Sequence, residues 1–125
     1  MSKAPQSYFL APDSPVDEPF PELDPDACDF EILEGKPEWR VCWLRHTDEP
    51  GGMLHTGLFT STAGVVRCDF TMNETVYCIE GEVSIEVVGG QTVELTPGAS
   101  ASFEKGTSTI WRIPKWFKEI FVLSP

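Results

Sequence analysis

Any chemistry in this chain rests on a few side chains: Glu74, Cys68, Lys118, His46, His55 and the aromatic residues near them. Glu74 is the foremost candidate. In an apolar surround with no cation beside it, desolvation would raise the pKa of its carboxyl and make it a usable general acid or base. Pairing with Arg67, Arg112 or Lys118 would instead reduce it to half of an ion pair. Lys118 could close that pair or hold a ligand carboxylate; it alternates with its neighbours and so faces opposite to Phe117, Glu119 and Phe121. Cys68 shares strand parity with Val66 and Phe70, which are expected to face inward, and reads as a core thiol rather than a reactive one. Trp111, Tyr77, Phe70 and Met72 would line an apolar pocket for a small ligand, or simply fill the core. His46 and His55 lack a partner at ligand spacing, and no Ser/His/Asp motif or phosphate-binding glycine loop is present.

These residues must be positioned by strands. Gly64 to Gly98 holds several short β-type runs, with a hairpin signal at Gly89-Gly90 between V-S-I-E-V-V and V-E-L-T, where both glycines can accept positive φ. Pro97-Gly98 is a further turn, proline fixing φ and glycine taking the left-handed position. Trp39–Leu44, Met53–Thr60, Val65–Phe70 and Thr75–Ile79 read as strands before the hairpin, and Ser100–Phe103, Thr109–Ile113 and Phe117–Leu123 after it. Turns are expected over residues 48–52 and 61–64 and at Lys105-Gly106, and Pro114-Lys115 leads into the last strand. No segment has helical periodicity, and runs this short leave no room for crossover helices, so the sheet should be antiparallel, in a sandwich or barrel.

Residues 1–36 differ in composition from residues 37–125. They carry six of the eleven prolines and nine of the twenty acids, against only Lys3 and Lys36. An extended, irregular acidic arm is expected there. Its apolar residues (Tyr8, Phe9, Leu10, Phe20, Phe30, Ile32, Leu33) suggest packing on its own barrel or on a second subunit, so a homodimer is expected. The net charge of −11 disfavours a nucleic-acid partner and gives no attraction to an anionic membrane surface. No apolar run reaches the ~20 residues that span a bilayer. The first fifteen residues lack a secretory apolar stretch, and a cytoplasmic location with reduced cysteines is expected. Cys28, Cys42, Cys68 and Cys78 lack zinc-site spacing and read mostly as buried free thiols.

E-T-V-Y-C-I-E-G (Glu74 to Gly81), a hairpin, and then T-P-G (Thr96 to Gly98) resemble the cupin superfamily of double-stranded β-helix (jelly-roll) barrels. The likeness is closer to the cupins grouped with the ureidoglycine aminohydrolase and ethanolamine-utilisation cupins. Gly57 to Gly64 resembles that group's Gly-x-Trp-x-x-x-Pro-Gly, with Phe59 and Ala63 as departures; Gly106 with Trp111 resembles its Gly-x4-Trp; Lys118 sits where the group has a lysine. The resemblance covers about residues 38–123 and implies that Glu74 points into the barrel. Aligned on Glu74 and Gly81, the metal-binding cupin pattern puts Cys68, Phe70 and Thr109 at its three histidine positions. A first-row metal site usually needs about three strong ligands, so no metal or other cofactor is expected, with a weakly held divalent metal at Glu74 as the alternative.

The expected function is binding of a small polar metabolite in the barrel, among Glu74, Lys118, Trp111 and Tyr77, with Cys68, Phe70 and Thr109 beside them. The alternative is a ureidoglycine aminohydrolase-like enzyme acting on a small nitrogenous or carboxylated compound, with Glu74 as acid/base. A structural or interaction role through the acidic arm is the third reading.

Overall fold

The computed structural model describes residues 9–21, 23, 27–47 and 54–125. The expected turn over residues 48–52 and the first eight residues of the arm lie outside the described residues. The described residues form nine strands: β1 (Glu18–Pro19), β2 (Cys28–Glu34), β3 (Trp39–Thr47), β4 (Leu54–Phe70), β5 (Asn73–Gly81), β6 (Val83–Val87), β7 (Thr92–Leu95), β8 (Ser100–Phe103) and β9 (Ser108–Ser124). Every pairing between them is antiparallel.

Two long strands organise the barrel. β4 and β9 are 17 residues each and pair with one another along most of their length. The turn expected at 61–64 is not a turn, and Pro114-Lys115 does not separate two strands. Both sites are one irregularity, where the register between β4 and β9 shifts between Thr62 and Gly64, and each strand continues through it. Proline has no N–H to give a ladder, so in a central strand it is tolerated at such a bulge. The Ser/Thr/Gly and Pro/Lys clusters that look like chain reversals therefore mark the bend of a strand. Beyond the bend each strand takes new partners. The first part of β4 pairs with β3 and the last part of β9 with β5; the remainder of β4 pairs with β2 and the remainder of β9 with β6. One half of the barrel thus runs β1-β3-β4-β9-β5-β8 and the other β2-β4-β9-β6-β7. This is the double-sheet jelly roll that the cupin resemblance implied.

Alternation decides what each half buries. On β9, Thr109, Trp111 and Ile113 face the interior before the bend, and Phe117, Glu119, Phe121 and Leu123 after it. On β4 the interior positions after the bend are Val66, Cys68 and Phe70, and on β5 Val76 and Cys78 are fully enclosed. At Pro97-Gly98, Gly98 has φ +95° and the Ala99 N–H donates to Thr96 O at 2.9 Å, as the proline-glycine pair predicts. In the β6–β7 hairpin only Gly89 takes positive φ, +80°, and the Gly90 N–H donates to Val87 O at 2.8 Å. A single left-handed glycine closes that turn, where the dipeptide suggested two.

The arm is less irregular than its composition suggests. Cys28–Glu34 forms β2 and pairs with Val65–Phe70 of β4, while Glu18–Pro19 adds a short edge to β3. Phe20 and Leu23 pack on the core cluster, and Phe30 meets Trp39 edge-on with centroids 5.4 Å apart. Apolar residues interspersed among the prolines are what make this possible: they repay the ordering of the chain against an already formed sheet.

Candidate functional site

The interior retains a cavity of about 80 Å³. Its wall is mainly aromatic, with Trp39 and Trp43 from β3, Phe59 and Phe70 from β4, and Trp111 and Phe121 from β9. Two carboxyls open on it, Glu74 at the start of β5 and Glu119 in β9, together with the thiols of Cys28 and Cys68. Among the described residues, no lysine, arginine or histidine lines it.

Glu74 stands opposite Phe103 of β8 and Leu123 of β9, and its side chain is half-buried. Glu119 stands between Phe59 of β4 and Cys78 of β5 and is only 3% exposed. Its Oε2 has no hydrogen-bond partner among the described residues. Burial pushes the Glu74 carboxyl up to about 8. Burial, and then the neighbouring charge of Glu74, raise Glu119 well above the ordinary carboxylate range. Both carboxyls are therefore held mainly as neutral acids near pH 7, that of Glu74 on a half-buried residue and that of Glu119 on an enclosed one.

The two thiols form a second feature of the wall. Cys28 Sγ lies 3.5 Å from Cys68 Sγ, on neighbouring strands β2 and β4. That hydrogen bond, then burial, then the charges around it raise the Cys68 pKa, so the thiol form is favoured. Burial, and then Glu119, also raise Cys78. All four cysteines are free, and three are buried. A core thiol at Cys68 agrees with the sequence reading.

The candidate residues divide into two groups. Glu74, Cys68, Phe70 and Trp111 come together on the cavity wall. Tyr77 does not: it is 46% exposed on the outer face of β5, because Val76 and Cys78 take the inward positions. Lys118 is buried, at 7% exposure, but lies outside the cavity wall, since odd-numbered residues of β9 face inward there. It sits across from Thr60 on β4, so the expected Lys118–Glu74 pair and the Lys118 carboxylate site are corrected by strand parity. Arg67 pairs with Asp69 at 3.2 Å and Arg112 with Glu86 at 2.8 Å, so neither neutralises Glu74. Thr109 is fully buried but is consumed structurally: its hydroxyl donates to Cys68 O at 2.9 Å and accepts from Trp111 Nε1 at 2.8 Å. It holds the Trp111 ring against the cavity rather than reaching into it. His46 and His55, apart in sequence, are direct cross-strand neighbours, with ring centroids 4.6 Å apart beside Trp43.

Glu119 is the site residue that sequence reasoning missed. The signal was present in F-K-E-I-F-V-L, where Glu119 alternates in step with Phe117 and Phe121. A carboxyl on the apolar parity of a strand is expensive to bury and for that reason informative.

The donor set does not suit the metal that cupin barrels often hold. Phe70 stacks on Phe103 at 5.5 Å, Thr109 is engaged as described, and among the described residues no three His, Cys, Asp or Glu side chains are grouped to hold a metal ion.

Comparison with known proteins places this geometry in context. Residues 48–120 match the family described as EutQ-like cupin domain. A Vibrio cholerae protein named as a proposed esterase is 31% identical over 77 residues, covering 58% of this chain and 50% of that protein. The chain thus spans about half the length of the curated relative it matches. A Pseudomonas syringae structure of unknown function superposes with a TM-score of 0.74 at 17% identity, covering 92% of this chain and 46% of that one. Ectoine synthase from P. lautus superposes with a TM-score of 0.61 at 27% identity, covering 80% and 69%.

Proposed function

The chain belongs to the EutQ-like cupin family, and from that premise we propose that it binds a small molecule inside the barrel without a conventional metal centre, through Glu74 and Glu119. One observation carries this reading. Glu119 is enclosed, with Oε2 unpartnered among the described residues, and it opens on a cavity shared with a second carboxyl. A buried polar atom without a partner costs on the order of 1–3 kcal/mol, so a ligand that supplies the missing hydrogen bond recovers that loss. The aromatic wall supplies apolar contact, and the polar groups few and convergent enough to orient a guest.

The site reading is tested by calorimetric or thermal-shift titration of small amines, amides, alcohols and carboxylates. Binding that Glu119→Gln weakens about tenfold or more supports it. Saturable binding untouched by both Glu119→Gln and Glu74→Gln would place the ligand elsewhere.

A second reading follows from Glu74 alone. The residue is half-buried and its carboxyl holds its proton to about pH 8, which suits a general acid or base working near neutrality. The likeness to ectoine synthase supports asking whether this barrel is an enzyme. A ureidoglycine aminohydrolase-like activity is the weaker form of that reading, because the metal-site positions hold Phe70 and Thr109. Turnover of a candidate compound, lost in Glu74→Gln with binding retained, would support catalysis; turnover unchanged in that variant would refute Glu74 as its acid/base.

A further inference from the structure

Resting on the cavity reading above, we infer that the ligand is a small organic cation, an amine or methylated ammonium, rather than a carboxylate or a neutral polar molecule. The charge layout argues for this. Among the described residues, two carboxyls share the cavity and nothing cationic lines it. The nearest basic side chain in sequence, Lys118, lies off the wall, and Arg67 and Arg112 are each committed to a carboxylate of their own strand or its neighbour. An anionic ligand would enter an acid-lined, low-dielectric site with no counter-charge, which is strongly unfavourable. The two carboxyls, neutral near pH 7 on their own, can ionise when a cation enters and supplies the counter-charge that the protein withholds.

The aromatic wall points the same way by an independent route. Trp39, Trp43 and Trp111 border the same space as the carboxyls. Indole faces attract a desolvated cation by up to about 2 kcal/mol or more, and several such faces around one site are the arrangement that recognises methylated ammonium groups. Trp111 is held in place by the hydrogen bond from its Nε1 to Thr109, and Trp43 by edge contacts to Phe20 and Phe121 at 5.8 Å each. The rings are thus fixed before a ligand arrives, which lowers the entropy lost on binding. The cavity of about 80 Å³ limits the guest to a small headgroup or a short-chain amine.

The test uses matched probes on the full chain: propylamine against 1-propanol, tetramethylammonium against tert-butanol, and butyrate as the anion, by calorimetry at pH 8. The expected result is that each cation binds at least tenfold more tightly than its neutral counterpart, with butyrate not binding. Glu119→Gln should erase most of that preference, and Trp111→Phe, which keeps an aromatic ring in the wall, should reduce it several-fold. Glu74→Gln serves as the second carboxyl variant if Glu119→Gln does not fold, as judged by circular dichroism. Equal or tighter binding of the alcohols or butyrate would overturn the cation assignment and leave the cavity reading intact. Absence of binding by every probe, whatever its charge, would overturn both.

Discussion

At the scale of single residues, Glu74 and Glu119 make an unusual demand on the fold. The Glu74 carboxyl ionises near 4.5 in the unfolded chain but keeps its proton to about 8 in the folded protein, and burial raises Glu119 in the same direction. Between those values the folded state binds more protons than the unfolded state, so stability falls as pH rises through the window. Removing the carboxyl should flatten that slope. In thermal melts from pH 5 to pH 8.5, Glu74→Gln is expected to lose less stability than the parent chain, with the two curves closest at the acid end. Parallel curves would mean that Glu74 is not buried as described. The partial exposure of Glu74 reduces the size of the effect but not its sign. A cation that binds the ionised pair should bind more tightly as pH rises toward 8. The groups sharing in that titration are Glu74 and Glu119, with Cys68 on β4 and Cys78 on β5 near them.

At the scale of elements, β5 and β2 offer the clearest tests. Gly81 ends β5 with φ +72°, and a Cβ there would lie 1.8 Å from Trp116 O. The left-handed backbone costs a non-glycine residue roughly 1–2 kcal/mol before any clash. Gly81→Ala should therefore destabilise by at least ~2 kcal/mol in urea unfolding, whereas a change under about 0.5 kcal/mol would contradict this path for the strand end. Across β2 and β4, the 3.5 Å between Cys28 and Cys68 puts the sulfurs within reach of a bond. A mild dithiol oxidant such as diamide, which takes up the two hydrogens, should convert them slowly to a disulfide, and faster at higher pH because the reactive thiolate is disfavoured. Peptide mapping would reveal the linkage. Full recovery of both free thiols after prolonged oxidation would count against their proximity.

At the scale of the whole molecule, the N-terminal segment is part of the barrel. Phe20, Leu23, Ala27 and Cys28 help to wall the cavity, and β2 covers the edge of β4. Deleting residues 1–35 should cost ~2–3 kcal/mol, which lowers Tm by on the order of 10 °C for a domain of this size. The same deletion should abolish ligand binding by opening the cavity. An unchanged melting curve would show the segment to be dispensable. Its high acidity, part of the chain's net −11, adds to the negative potential of the protein and favours cations over anions as visitors.

The sequence by itself determined that the chain is all-β and antiparallel, because period-2 alternation and glycine or proline turns are local properties. It also singled out Glu74, Cys68, Phe70 and Trp111, four residues that do meet on one wall. Motif spacing carried the family likeness, since residues in a fixed strand-turn-strand unit keep fixed offsets. Only the tertiary structure decided the rest. Whether Thr62–Gly64 and Pro114-Lys115 reverse the chain or bend it depends on which strands lie alongside, and that is a long-range matter. Strand parity sets Tyr77 on the outer face, Lys118 buried but off the cavity wall, and Glu119 on that wall. Thr109 is taken up by a hydrogen bond to a strand 41 residues away in sequence. The pairing of Glu119 with Glu74, and of Cys28 with Cys68, arises from closure of the barrel, which no local pattern encodes.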